Sequence, residues 1–258
     1  MTDYQFLKTD QIKSNLFGEI AQAYQIAFAG EPWFEVSKCP SSERRCPGGF
    51  SPLAIGATCV TCTQKPTEPA YEAGELIAKW QNLSREVDAR WYLEFAKTPT
   101  GKKLALASLA WRTNAEQLGE LRYADNPEMQ IWLRERFGNQ PLVYRDETFK
   151  TGVRETGNML NFTTYIPEFN RAMSADLQIS RTINPRMLRA CRRFGAKATI
   201  FAGQTADETR KNLATTDENV PDRRDFIVLN FREEMNRERQ RRIRERELSG
   251  NGGYLWGH

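Results

Sequence analysis

The stretch Leu142-Val143-Tyr144-Arg145-Asp146-Glu147-Thr148-Phe149-Lys150-Thr151-Gly152-Val153-Arg154-Glu155-Thr156-Gly157-Asn158-Met159 decides the reading of this chain. Leu142 to Phe149 is rich in β-branched and aromatic residues and predicts a strand. Lys150 to Val153 is turn chemistry, and Arg154 to Met159 opens a helix whose pattern runs from Asn158 to Ala172. Backbone N–H groups at a helix start, freed by Gly157 and helped by Arg154, form an anion site suited to a pyrophosphate. An Arg-x-x-Gly alone is common by chance, so its weight depends on what surrounds it.

Downstream, Leu177 to Thr182 reads as a strand, Pro185 to Phe194 as a helix, and Ala198 to Ala202 and Phe226 to Phe231 as two more strands. Upstream, Arg90 to Phe95 and Leu104 to Trp111 flank the turn Pro99-Thr100-Gly101-Lys102, which predicts an antiparallel hairpin. A helical segment from Asn114 to about Arg136 is interrupted near Asn126-Pro127. Pro69 suits the first turn of a helix over Ala70 to Asn82, with Leu76, Ile77 and Trp80 as its apolar stripe. Asp10 is placed to cap a first helix running to Phe28. Its Leu16, Ile20, Ala23, Tyr24, Ala27 and Phe28 share one face, and Gly30 stops it. Strands and helices in this order predict a mixed α/β domain on one central sheet flanked by helices.

At Leu142 to Gly195 the chain resembles the GNAT N-acetyltransferase superfamily. That family carries a strand, an Arg/Gln-x-x-Gly-x-Gly/Ala loop opening a helix, a second strand, and a helix reading Asn-x-x-Ala-x-x-x-Tyr-x-x-x-Gly-Phe. Here the strand is Leu142 to Phe149, the loop is Arg154 to Met159 and the second strand is Leu177 to Thr182. Asn184, Met187, Cys191 and Gly195 fall at the last helix's offsets. The resemblance covers about residues 10 to 35 and 70 to 231. It implies that acetyl-CoA is the acetyl donor. Its pyrophosphate would lie on Arg154 and the N–H groups of Gly157, Asn158 and Met159, its pantetheine arm beside Phe149, and Asn184 would contact it. Two positions depart from the family: Met159 replaces a small residue, and Cys191 stands where a tyrosine usually protonates the leaving thiolate. The acid is then Cys191 or another residue, or CoA leaves as the thiolate, or the fold has lost its activity.

The chain has 258 residues, 37 Lys plus Arg, 33 Asp plus Glu, and a single histidine, His258. An imidazole at the last position does not serve Ser-His-Asp, Cys-His or HExxH chemistry, each of which needs it held rigidly in the interior. The base for acetyl transfer to an amine must then be a carboxylate. Glu147, on the strand beside the expected thioester, is the candidate, and period-two alternation points Asp146 to the opposite face. The other reading of Glu147 is an ion pair with Arg145 or Arg181 across the sheet. Glu31 and Trp33 occupy the loop that shapes the acceptor pocket in this family, and Trp33 fits equally well as a core residue.

Cys39, Cys46, Cys59 and Cys62 lie within 24 residues, in a Pro/Gly/Ser-rich insertion at 36–67 with almost no periodic pattern. The Cys59-Val60-Thr61-Cys62 gap suits a zinc knuckle, and four thiolates without histidine predict a closed, structural Zn²⁺ site. The six residues between Cys39 and Cys46 exceed the usual gap. Unrelated thiols, or a redox pair at Cys59 and Cys62, are the other readings. Arg232 to Glu247 holds seven arginines and five glutamates, which predicts a solvated helix opening a charged tail at 232–258. Its glutamates disfavour nucleic acid as a partner. With no apolar stretch near the 18 or so residues of a membrane span, no membrane partner and a cytoplasmic location are expected. Residues 1–231, interrupted at 36–67, form the expected transferase domain. The expected function is acetyl transfer from acetyl-CoA to an unidentified amine. A non-catalytic zinc-containing protein that binds RNA or a protein partner is the other reading.

Overall fold

The computed structural model describes residues 3–30, 34–40, 50–59, 62–63, 66–124, 126–151, 162–175, 177–182, 197–199 and 225–230. The elements in chain order are β1 (Asp3–Lys8), α1 (Ser14–Ala29), β2 (Ser37–Lys38), β3 (Phe50–Ser51), β4 (Glu68–Pro69), α2 (Ala73–Glu86), β5 (Ala89–Thr98), β6 (Gly101–Thr113), α3 (Ala115–Tyr123), α4 (Pro127–Phe137), β7 (Leu142–Lys150), α5 (Phe162–Met173), β8 (Leu177–Thr182), β9 (Lys197–Thr199) and β10 (Asp225–Asn230). A seven-stranded sheet has the order β1-β5-β6-β7-β8-β10-β9. All its neighbours are antiparallel except β7 and β8. The expected mixed α/β fold, a central sheet flanked by helices, is present.

The longest strands sit in the middle and are buried on both faces. Trp91, Leu93, Leu109 and Trp111 pack with Phe17, Ile20 and Tyr24 of α1, Leu76 and Trp80 of α2, Leu118 of α3 and Leu133 of α4. α5 contacts β5, β6 and β7. Phe169 of α5 meets Phe6 of β1 edge-on at 5.3 Å. A strand buried on both sides reads as a continuous apolar run rather than an alternating one, which is why Leu104 to Trp111 stood out in the sequence. Gly101 turns the hairpin at φ +114°, a conformation that favours glycine.

Several boundaries differ from the sequence expectation. Asp10 does not cap α1. It lies in a short 3-10 turn, Thr9–Gln11, and α1 starts at Ser14 after Lys13, which makes no side-chain capping bond. The turn holds because Thr9 donates to the Ala89 carbonyl at 3.1 Å and Gln11 accepts from the Lys8 N–H at 2.9 Å. Tyr4 to Lys8, in which no strand was expected, pair with β5 as an edge. Pro69 belongs to β4, and α2 runs from Ala73 to Glu86 instead of Ala70 to Asn82. The break at Asn126-Pro127 is real: Pro127 begins α4, and the Asn126 side chain caps it by accepting from the Met129 N–H at 2.9 Å. A second, small sheet β3-β2-β4 has two strands in the insertion and its third, β4, just after it. The expected helix at Pro185 to Phe194, the acceptor-loop residues Glu31 and Trp33, and the tail at 232–258 lie outside the described residues. Among the described residues no helix is long and apolar enough to cross a membrane.

Candidate functional site

β7 and β8 are paired in parallel only from Leu142 to Arg145 against Leu177 to Ser180. β7 continues to Lys150 and β8 to Thr182, and the ladder between them does not. On its other edge β7 stays paired with β6 as far as Lys150. The sheet therefore parts between the carboxyl ends of its two parallel strands, the position at which open α/β sheets bind ligands.

A β-bulge sits at the same place. Leu109 pairs with Glu147 and Ala110 with Arg145, so Asp146 is the extra residue on β7. Leu109 and Trp111 share the helical face of β6, and their partners Glu147 and Tyr144 are three residues apart instead of two. The expected alternation fails there: Asp146 does not point to the opposite face. It forms an ion pair with Arg122 of α3, whose guanidinium lies 4.9 Å from the Trp111 ring centre. Burial is the largest single influence on Arg122 and disfavours its charge, but Asp146, Tyr144, Glu147 and Tyr123 together outweigh it, and the net shift of Arg122 is upward. Bulges re-aim side chains in this way.

Glu147 is buried, with 8% of its surface exposed. Its Oε1 accepts from the Tyr24 hydroxyl at 3.3 Å and lies 3.4 Å from Nζ of Lys79. Arg145, on the other face, donates to Ser180 at 2.8 Å. Tyr24 is enclosed by Phe28 (4.2 Å, stacked), Tyr71 (5.0 Å, edge-on), Phe149 (5.3 Å, edge-on) and Trp80 (5.7 Å, edge-on). Phe149 thus lies beside Glu147, near the place where the sheet opens. A carboxylate fixed by a phenol and an ammonium in an aromatic wall is oriented to take or hold a proton at Oε1 or Oε2. The remaining residues expected to bind the donor or protonate the leaving group, Arg154, Gly157, Asn158, Met159, Asn184 and Cys191, lie outside the described residues.

Cys39 and Cys59 are buried and Cys62 is half-buried, and the three Sγ atoms lie within 4.8 Å of one another. Cys39 and Cys62 are 3.8 Å apart at sulfur, well beyond the ~2.05 Å of a disulfide. A tetrahedral ion with Zn–S bonds of ~2.3 Å sets its sulfurs ~3.8 Å apart, so the spacing fits a metal-thiolate site. The knuckle turn is closed by the Thr63 N–H donating to the Cys59 carbonyl at 2.8 Å, and Thr58 bridges to Pro66 just outside it. Cys46, the fourth expected ligand, lies outside the described residues.

Tyr24, Lys79 and Arg122 were not singled out as site residues from the sequence. Tyr24 falls on the apolar stripe of α1 and looks there like any core aromatic. Lys79 and Arg122 lie on helical patterns in which a single cation has no distinguishing mark.

No family model and no curated protein matches the chain. Among solved structures, it is similar to a polyamine N-acetyltransferase of Drosophila melanogaster (9% identity, 88% of this chain and 100% of that chain, TM-score 0.49). It is also similar to Arabidopsis thaliana NAA60 in complex with a bisubstrate analogue (12% identity, 88% and 98%, TM-score 0.46). A third likeness is to yncA of Salmonella typhimurium with its cofactor acetyl-CoA (9% identity, 90% and 94%, TM-score 0.45).

Proposed function

We propose that the chain is a GNAT-type N-acetyltransferase that moves an acetyl group from acetyl-CoA to an amine. The observation that carries this reading is the parting of β7 from β8 beyond Arg145 and Ser180, with Glu147 fixed beside the gap by Tyr24 and Lys79. The acetyl-CoA pyrophosphate would lie on Arg154 and the N–H groups of Gly157, Asn158 and Met159, with Asn184 as a further contact. The pantetheine arm would pass Phe149. The acceptor nitrogen attacks the thioester carbon, a C–N bond forms, and the C–S bond breaks. Glu147 takes the proton from the nitrogen, directly or through a water, and Cys191 returns one to the departing sulfur.

The same reading assigns a structural Zn²⁺ to Cys39, Cys46, Cys59 and Cys62, supported by the sulfur spacing and by the small sheet that frames the knuckle. Zinc there would stabilise the insertion and take no part in the chemistry. The test is release of CoA thiol from acetyl-CoA in the presence of a panel of primary amines. Turnover with at least one amine, lowered by roughly 10²- to 10⁴-fold in Glu147→Gln with the fold intact, is the expected result. Failure with every amine would favour a non-catalytic zinc-containing binding protein.

A further inference from the structure

Among the described residues, the insertion that carries the thiols has little apolar core of its own. Its buried cluster among the described residues consists of Cys39 and Cys59, with Cys62 packed against them. Such a segment depends on its metal for folding free energy. It is also tied directly to the elements around Glu147. Glu35, four residues before Cys39, is buried, and its backbone N–H donates to the Phe28 carbonyl at the end of α1 at 2.9 Å. The hydroxyl of Tyr71 donates to the Glu35 carboxylate, and the Tyr71 ring stands edge-on to Tyr24. Gln25 of α1 holds Tyr71 from behind, donating to its carbonyl at 2.7 Å.

The backbone carries a parallel connection. Ser37 and Lys38 of β2 pair with Pro69 and Glu68 of β4, and the Ala70 N–H donates to the Val36 carbonyl at 3.2 Å. Lys38 then reaches Glu75 of α2 at 3.4 Å, and one helical turn further along α2, Lys79 reaches Glu147. Both routes start next to Cys39. They end on Tyr24 and Lys79, the two groups that hold the Glu147 carboxylate.

We infer that metal occupancy of the thiol cluster sets the geometry of the Tyr24–Glu147–Lys79 site, acting through the Glu35–Tyr71 clasp and the β2–β4 pairing. This rests on the zinc reading proposed above and adds a regulatory coupling to it. Zinc loading orders the residues from Glu35 to Lys38 and the start of α2, and its loss releases them while the large sheet stays folded. The sheet has a core of its own, built on Trp80, Trp91 and Trp111.

The test is native-state amide exchange on the full chain, as purified with zinc, after stripping by a chelator, and after zinc is added back, with the zinc content of each sample measured. The expected result is exchange about ten-fold or more faster at the Glu35 and Ala70 amides after stripping, recovery on add-back, and unchanged protection of β6 and β7. Cys62→Ser, which alters the most exposed of the three thiols, should reproduce the stripped pattern without chelator. A chain that carries zinc but whose Glu35 and Ala70 amides exchange alike in all samples overturns the coupling and leaves the zinc site standing. Loss of protection throughout β6 and β7 also overturns it, because the metal would then support the fold as a whole. A chain that binds no zinc removes the zinc reading and the coupling together.

Discussion

Asp146 and Glu147 are adjacent in the chain and face the same layer of helices, one held by Arg122 and the other by Tyr24 and Lys79. Removing one partner of a half-buried pair leaves the other poorly solvated. Asp146→Ala should therefore cost about 1–3 kcal/mol, measured by denaturant unfolding, more than a surface substitution would. The pair of half-buried Arg90 with exposed Asp88 provides the contrast. The Arg90 side-chain hydrogen bond holds the Asp88 carboxyl below its ordinary value, against a smaller opposing effect of burial. A depressed carboxyl contributes stability above its unfolded value of ~3.9 and loses it as the pH falls through the folded value. Asp88→Asn should thus cost under about 1 kcal/mol at neutral pH and nothing at strongly acid pH, as urea midpoints at the two pH values will show. At this scale the sequence was partly legible. Glu147 could be placed on β7, but the side on which Asp146 lies depends on a bulge that leaves no mark in Arg145-Asp146-Glu147.

The elements were legible wherever one periodicity ran unbroken. The Asn126-Pro127 break and the β5–β6 hairpin could be read because Pro, Gly and continuous apolar runs have direct backbone consequences. β1 was not, because no residue of this edge strand is fully buried and its half-buried Phe6 and Leu7 are consecutive, so Asp3-Tyr4-Gln5-Phe6-Leu7-Lys8 shows no alternation. The start of α1 differs for another reason: Asp10 is a good capping residue, but the contacts of Thr9 and Gln11 make a tight turn there first. Trp80 of α2 is the element-scale anchor, fully buried and meeting Phe17, Tyr24 and Trp91. Trp80→Ala should cost about 3–5 kcal/mol in equilibrium unfolding. Leu83→Ala, one turn further on and nearer solvent at 9% exposure, should cost less.

For the molecule as a whole, the order of strands and helices foretold one mixed sheet, and the structure has one. The parting of β7 and β8 was not visible in the sequence, since it depends on where pairing stops between segments more than thirty residues apart. The thiol cluster was half legible: the Cys59-x-x-Cys62 knuckle has a known spacing, whereas the approach of Cys39 depends on β2 and its pairing with β3 and β4. Purified without added metal, the protein should carry close to one zinc per chain by elemental analysis, and a ratio well below one counts against the four-cysteine site. Thermal unfolding of the full chain over an acetyl-CoA titration will show whether the gap between β7 and β8 receives the proposed donor. A saturable stabilisation reaching ~2.7 kcal/mol at one hundred times Kd, and weakened by Gly157→Pro, which removes one proposed pyrophosphate N–H, is expected; no stabilisation at millimolar acetyl-CoA would rule the donor out.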